Sequence, residues 1–354
     1  MIVKNFSNIK KALLLVLGNS NPRFSGVTST MLQTVKFMNK RIPLAVMGKH
    51  NVDADIAVVS FLNLLHRAFK NPKPLVFHAR RNNEMIQALL IKAFGGNIKI
   101  VFTSTAQRFH TKLTKFLMNR MDGLISTSPR AASFMHKKPD VIIPHGVDIC
   151  RYHPSENKHS DWKELNLPGE YGIAIFGRVR PQKGIHHLID ASISLMAKYP
   201  DFGVIIVGET TSKYLGYKNR LMGKIDDASL GERIKFLGSQ SFESLPKFFR
   251  SASLICALSE NEGFGLTVLE AFASGTAVIA TNAGAWPEII SNKNNGLLVP
   301  INDPDSVRNA LEYCISCPER LSKMGINARM CAEAKYSIER ESSQLLDFYS
   351  RFLN

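Results

Sequence analysis

The stretch Leu254-Ile255-Cys256-Ala257, followed by Ser259-Glu260-Asn261-Glu262-Gly263-Phe264-Gly265-Leu266-Thr267-Val268-Leu269-Glu270-Ala271, leads into Ala277-Val278-Ile279-Ala280-Thr281. A short apolar run ends, a Gly-x-Gly turn follows, a helix begins, and a second apolar run closes the unit. Apolar runs separated by helices imply crossover connections and a parallel sheet buried on both faces. The glycines permit positive φ and let a ligand approach the backbone. The helix start presents free N–H groups around Gly265, Leu266 and Thr267, suited to a phosphate. Glu262 precedes the turn and Glu270 lies inside the helix, so the two carboxylates can hold separate parts of one polyhydroxylated ligand. Without a ligand, the same stretch is a turn and a capped helix with Glu270 in solvent.

The same alternation runs through the rest of the chain. Before residue 150, strands are expected at 12–17, 42–47, 56–60, 75–77, 98–102, 123–126 and 141–143, with helices at 28–39, 83–94, 108–119 and 129–136. Residues 150–169 are polar, contain Pro154 and Pro168, and read as a linker or irregular excursion. Strands then resume at 171–176, 204–207, 234–237, 254–257 and 277–281, with helices at 184–198, 213–226, 243–250, 267–273 and 286–290. Asp303 or Asp305 can cap a helix beginning near Ser306, with Pro304 in its first turn, and the last fifty residues read as helices. The expected fold class is therefore α/β, with two doubly wound domains at 1–158 and 159–335 and a terminal segment at 336–354. Ligands of such sheets sit at the carboxyl ends of the strands, and the natural site is the cleft between two facing domains.

A chain of 354 residues with 45% hydrophobic and 21% charged residues is an ordinary globular protein. No apolar run is long enough for a bilayer-spanning helix, which needs roughly 18 residues. The net charge of +16 lies wholly in residues 1–150, which hold 22 basic and 6 acidic residues against 23 and 23 beyond. Such a field attracts phosphate, nucleic acid or an anionic membrane surface, or simply keeps the surface solvated. Five irregularly spaced cysteines fit a reducing compartment. Cys314 and Cys317 form a CxxC without a second pair, and every histidine lies at or before His187, so a zinc site is not expected. Lys4, Lys10 and Lys11 ahead of residues 12–17 resemble a short signal peptide, but no small-x-small cleavage site follows and the run reads as the first buried strand.

Two further stretches carry charge or glycine after a strand. In Phe176-Gly177-Arg178-Val179-Arg180-Pro181-Gln182-Lys183-Gly184, Arg178 can grip a phosphate with its fork and Lys183 can act as a point charge. In Arg23-Phe24-Ser25-Gly26-Val27-Thr28-Ser29-Thr30, Gly26 sits beside a helix start where backbone N–H groups can meet a diphosphate. No GxGxxG follows any strand, which argues against a nicotinamide-dependent dehydrogenase.

Together these stretches resemble glycosyltransferase family 4, retaining sugar-nucleotide transferases of the two-domain GT-B fold. The resemblance rests on Gly177-Arg178 with Lys183-Gly184, on Glu262 and Glu270, on Ala273-Ser274-Gly275, on Pro287-Glu288, and on Asn295-Gly296-Leu297-Leu298-Val299. It is specific over about residues 142–303. Pro144-His145-Gly146-Val147-Asp148 stands where the family often has Pro-Asn-Gly-Val-Asp, and Thr276-Ala277 fills the x-Pro of the Gly-x-Pro-Val it often has after the acidic helix. With Phe77-His78-Ala79-Arg80-Arg81-Asn82 and Ala285-Trp286-Pro287-Glu288, the chain is similar to alphaproteobacterial mannosyltransferases of the lipopolysaccharide inner core.

The resemblance implies the following roles. Arg178 and Lys183 neutralise the leaving diphosphate, Glu262 binds hydroxyls of the transferred sugar, and Glu270 binds the ribose. Gly263, Phe264, Gly265, Leu266 and Thr267 contact sugar and phosphate, Gly26 lets a loop close on the diphosphate, and the base lies near residues 236–239. The donor implied is GDP-mannose, used without a metal or other cofactor; Asp303-Pro304-Asp305 reads as a helix start, not as a metal-binding Asp-x-Asp. The C-terminal helix is expected to cross back to the first domain.

On the acceptor side, His78, Arg80 and Arg81 follow one strand and Arg108 and His110 another. A basic wall there suits an anionic glycolipid of the Kdo-lipid A type. His145 is either a donor-side contact or a hinge residue, and His186 and His187 belong to a helix face without chemistry. The protein is expected in the cytoplasm, held peripherally on the inner face of the membrane. The alternatives are a related transferase using UDP-glucose or UDP-galactose, or another lipid or exopolysaccharide acceptor. A nucleic-acid-binding protein is a remote alternative, since no zinc-finger or RNP-like motif occurs.

Overall fold

The structure, a computed structural model, describes residues 13–21, 26–50 and 52–353. Residue 12 of the expected first strand and Arg23, Phe24 and Ser25 lie outside the described residues. The chain divides into two compact units, Met1–Gly146 with Ile338–Asn354, and Val147–Ser337.

The first unit runs β1 (Leu15–Gly18), α1 (Gly26–Met38), β2 (Leu44–Met47), β3 (Val58–Val59), α2 (Phe61–Lys70), β4 (Leu75–Ala79), α3 (Asn82–Ala93), β5 (Ile98–Ser104), α4 (Lys112–Met118), β6 (Gly123–Ser126), α5 (Pro129–Ser133) and β7 (Val141–Ile142). Its strands pair in parallel in the order β3-β2-β1-β4-β5-β6-β7. Side chains alternate across a strand, so each strand feeds two cores. Val16, Ala45, Phe77 and Ile100 pack under α2, α3 and α4, through Leu64, Met85, Ala88 and Leu117. On the other face, Leu15, Leu17, Val76 and Val101 pack under α1, through Met31 and Val35.

The second unit runs α6 (Lys158–Glu164), β8 (Tyr171–Phe176), α7 (Ile185–Leu195), β9 (Phe202–Val207), α8 (Leu215–Asp227), β10 (Ile234–Gly238), α9 (Leu245–Ser251), β11 (Leu254–Ala257), α10 (Leu266–Ala273), β12 (Ala277–Thr281), α11 (Trp286–Ile289), β13 (Gly296–Val299), α12 (Pro304–Ile315) and α13 (Pro318–Lys335). Its parallel order is β10-β9-β8-β11-β12-β13. The last helix, α14 (Ile338–Ser350), returns to the first unit and packs on α1, burying Leu345, Phe348 and Tyr349.

Both sheets reverse their strand order once, between β1 and β4 and between β8 and β11. Those are the switch points where doubly wound sheets take ligands. Residues 147–158, read in sequence with the first domain, supply Val147 and Tyr152 to the second unit's core. Three elements differ from the expected pattern. Residues 150–169 contain α6, anchored by the fully buried Trp162. Residues 61–70 form α2, capped by the Ser60 side chain, and residues 296–299 form β13. Asp303 caps α12, accepting from the Ser306 amide at 3.0 Å. Cys314 is buried on α12 and Cys317 precedes α13. Among the described residues, no group of three or more His, Cys, Asp or Glu side chains is placed to hold a metal. No helix of the described residues is long and apolar enough to cross a membrane.

Candidate active site

The switch point of the second sheet gathers the donor-side residues read in the sequence. Beyond β8 the chain turns through Gly177 and Arg178 into Lys183; beyond β11 it turns through Ser259 into Glu262. Gly184 (φ +67°) lets these turns touch, because a side chain there would strike the Leu258 carbonyl. The Glu260 amide donates to the Gln182 carbonyl at 2.9 Å, and Lys183 Nζ reaches Glu262 Oε2 at 2.7 Å. Both side chains are largely shielded, 17% and 24% exposed, so the pair is held by more than surface attraction. Arg178 points outward, its Nε 3.8 Å from Glu209 Oε2, with both groups more than half exposed.

The turn into α10 is built around Gly265, whose φ of +81° favours glycine. Trp286 fixes it: the indole Nε1 donates to the Gly265 carbonyl at 2.9 Å and fills the space a side chain would need. Phe264 is buried in the core, which anchors the turn from below, while Gly263, Leu266 and Thr267 keep part of their surface open. Glu270 lies one turn into α10. Glu270 is half-buried, and the loss of water around its carboxyl pushes it up to about 7, although the Tyr152 hydroxyl donates to it at 3.1 Å. Glu270 is thus not the solvated helix residue of the ligand-free reading. Gly26 begins α1 in the first unit, with open space where a side chain would stand.

The acceptor candidates divide. Arg80, Arg108 and His110 line one cavity of about 290 Å³ in the first unit, with Asn82, Thr103 and Ser104 among their neighbours. Arg80 Nε and Nη1 are buried there without a hydrogen-bond partner. His110 Nε2 is 3.0 Å from the Ser104 hydroxyl, and burial lowers its pKa. His78 and Arg81 do not line this cavity. His78 is fully buried, with Nε2 2.6 Å from Thr103 Oγ1 and Nδ1 2.5 Å from the Tyr349 hydroxyl. Burial, then the Arg80 charge, holds it well below the usual histidine pKa, so the ring is neutral. Arg81 is tied to Glu84 Oε1 at 3.1 Å and to Thr28 Oγ1 at 3.0 Å. His145 Nδ1 meets Glu341 Oε1 at 2.8 Å, and the same carboxylate accepts from the Gly146 amide at 2.7 Å.

Residues 157–330 match the profile of the glycosyl transferases group 1. The lipopolysaccharide core biosynthesis mannosyltransferase LpcC of Rhizobium leguminosarum bv. viciae is 35% identical over 343 residues, covering 96% of both chains. The chain belongs to the glycosyl transferases group 1. Among solved structures, the C-terminal domain of LpcC from Francisella tularensis is 39% identical over 55% of this chain and all of that one, with a TM-score of 0.53. Anabaena HepE, crystallised with UDP, aligns over 96% of this chain and all of that one, with a TM-score of 0.83 at 19% identity. That likeness shows the GT-B fold, and the protein is a glycosyltransferase.

For a group 1 glycosyltransferase, three residues around the site went unread in the sequence. Tyr152 supports Glu270, Trp286 shapes Gly265, and Lys158 binds the carbonyls of Arg250 and Ser274 and the Thr276 hydroxyl at the far end of α10. The only available signal was the departure at Thr276-Ala277, where Ala277 stands in place of a common proline.

Proposed function

We propose that this glycosyltransferase moves mannose from GDP-mannose to a Kdo residue of the lipopolysaccharide inner core, with retention of anomeric configuration, at an anionic membrane surface. The observation that carries this reading is the near-full-length likeness to the mannosyltransferase LpcC.

In this reading the second unit binds the donor. Lys183 and Glu262 neutralise each other at 2.7 Å. An arriving diphosphate replaces Glu262 as the counter-ion of Lys183, and Glu262 turns to accept from sugar hydroxyls. Arg178, exposed and weakly held, swings onto the same diphosphate. Glu270 accepts from the ribose hydroxyls, the base lies near residues 236–239, and the amides of Gly263, Phe264, Gly265, Leu266 and Thr267 face sugar and phosphate. As the glycosidic bond lengthens, negative charge grows on the diphosphate, and the preorganised cations stabilise it. The acceptor hydroxyl attacks from the face the phosphate leaves and gives its proton to a phosphate oxygen, so no protein nucleophile takes part.

The first unit binds the acceptor through Arg80, Arg108 and His110. The unpartnered Arg80 nitrogens match a carboxylate such as that of Kdo. His78, behind the cavity, positions Thr103.

The test is transfer from radiolabelled GDP-mannose to Kdo₂-lipid A by the purified chain, with EDTA present and Glu262→Ala as control. Labelled lipid from the wild type alone is the expected result. Preference for UDP-glucose or UDP-galactose overturns the mannose assignment; transfer of mannose to another lipid but not to Kdo₂-lipid A overturns the acceptor.

A further inference from the structure

The outer sides of α2, α3 and α4 carry a surface that shares only Phe109 with the acceptor cavity. The three helices cover a single face of the first sheet, with Leu64, Met85, Ala88 and Leu117 turned inward, so their opposite sides point away from it together. They are also joined to one another. Helix α3 packs on both neighbours, Phe69 of α2 lies beside Gly95 just past α3, and Asn82 donates to Thr114 of α4 at 2.9 Å.

Phe69, Leu90, Leu113 and Phe116 on these helices, with Phe94 just past α3 and Phe109 just before α4, are each 46–75% exposed. Single exposed apolar side chains are normal, but a group of this kind on adjacent helices marks an interaction surface. The charge around it is mostly positive, the carboxylate of Asp122 being paired with Lys92 and Lys99. Residues 61–121 contain eleven Lys and Arg and one acid, Glu84, which is buried. Lys70, Lys112 and Arg120 are exposed among the apolar groups, and the Arg120 guanidinium lies 3.5 Å from the centre of the Phe116 ring. The fitting partner is apolar inside and anionic at its surface.

We propose that the α2–α4 face docks on a bilayer bearing anionic lipid, with the aromatic and aliphatic side chains entering the headgroup boundary and the cations meeting lipid phosphates. The proposal rests on the reading of a membrane-held acceptor and adds the face that meets the membrane. Arg108 and Phe109 line the acceptor cavity, and Phe109 is 75% exposed on the docking side. The cavity mouth therefore opens beside the bilayer, where the head of a lipid acceptor can reach Arg80 while its chains stay in the membrane.

The experiment is cosedimentation of the full chain with vesicles of phosphatidylglycerol in phosphatidylcholine, against phosphatidylcholine alone, at low and high salt. The variants are Leu90→Gln with Phe116→Gln, Lys112→Glu, and the control Ile326→Gln on α13. The wild type and control should bind the anionic vesicles, more weakly at high salt. The double variant should bind at least about tenfold more weakly and Lys112→Glu about fivefold or more, since each basic residue is worth about that factor at an anionic surface. Transfer to a water-soluble Kdo fragment should be unchanged in these variants. Undiminished vesicle binding by the double variant overturns this face and leaves the membrane reading intact. Failure of the wild type to bind anionic vesicles overturns both. A wild-type dimer that the double variant turns into monomer assigns the face to a second copy and overturns the lipid.

Discussion

The two units are built on nearly the same strand order, yet they treat charge in opposite ways. In the second unit the two cations assigned to the donor each lie near a carboxylate, Lys183 at 2.7 Å from Glu262 and Arg178 at 3.8 Å from Glu209, although Arg180 of the same turn has a buried Nε without a hydrogen-bond partner. In the first unit the cavity cation Arg80 has two buried nitrogens with no partner. A paired site is ready to exchange one counter-ion for another, and so suits a substrate that must arrive, react and leave as a diphosphate. An unpaired site holds a standing positive field and suits an anion that stays while the reaction occurs. The imbalance of 22 basic to 6 acidic residues in 1–150, against 23 and 23 beyond, is the same contrast written in composition.

The strongest way to break this contrast is to remove the exchanging cation. Lys183→Ala should lower kcat by about 10²–10³, the loss found when one preorganised charge-stabilising group is removed. Steady-state rates over a range of donor concentrations check it; a change confined to KM would mean that Lys183 binds the donor without stabilising the transition state. Arg80→Ala should come next, raising the acceptor KM by about tenfold or more, as expected for a charge-assisted hydrogen bond worth 1.5–3 kcal/mol, and leaving the donor KM alone. Equal shifts in both constants would dissolve the division of labour between the units.

A smaller effect should appear with pH. Burial lifts Glu270 to about 7, above the ordinary carboxylate value, so in the donor-free protein it takes up a proton as pH falls through 7. Only the carboxylate can accept from two ribose hydroxyls. The donor KM should therefore rise severalfold between pH 8 and pH 6 in the wild type and stay level in Glu270→Gln, whose KM is raised throughout. The sign for stability is fixed as well. Between the unfolded value near 4.5 and about 7 the native state binds the extra proton, so the wild type loses stability as pH rises through that window, and Glu270→Gln does not.

How much of this could be read in the sequence follows from where the information lies. The runs at 123–126, 171–176, 254–257 and 277–281 coincide with β6, β8, β11 and β12, because a strand buried on both faces is an uninterrupted apolar run. Helix α2 does carry a helical stripe, Phe61, Leu64, Leu65 and Ala68 at i, i+3, i+4 and i+7 facing the core, but exposed Leu62 and Phe69 lengthen the apolar run and blur it. Helix α6 escaped because one buried residue, Trp162, holds a polar segment in place. At the site, glycines and charges close together in sequence were legible. The residues that set their behaviour were not, because Tyr152 is 118 positions from Glu270 and Glu341 is 196 from His145. Nor could sequence show that His78, two positions before Arg80, is fully buried while Arg80 lines a cavity.

That buried histidine gives the mildest test of the contrast. Tyr349, on the last helix, hydrogen-bonds His78 Nδ1 through its hydroxyl, and His78 Nε2 hydrogen-bonds Thr103, which lines the acceptor cavity. Since burial keeps the ring neutral, it has one proton, so one ring nitrogen donates and the other accepts. Tyr349→Phe leaves a buried nitrogen without its partner and should cost about 1–3 kcal/mol, read as a drop in Tm or denaturation midpoint. A purely structural loss would stop there. If the chain from Tyr349 to Thr103 also sets the cavity, the acceptor KM should rise by about twofold or more while kcat and the donor KM hold, because the hydrogen bond lost lies behind the acceptor cavity and touches nothing in the second unit. A shift in the donor KM instead would show that the terminal helix governs both sites, and the two units would no longer be separable in function.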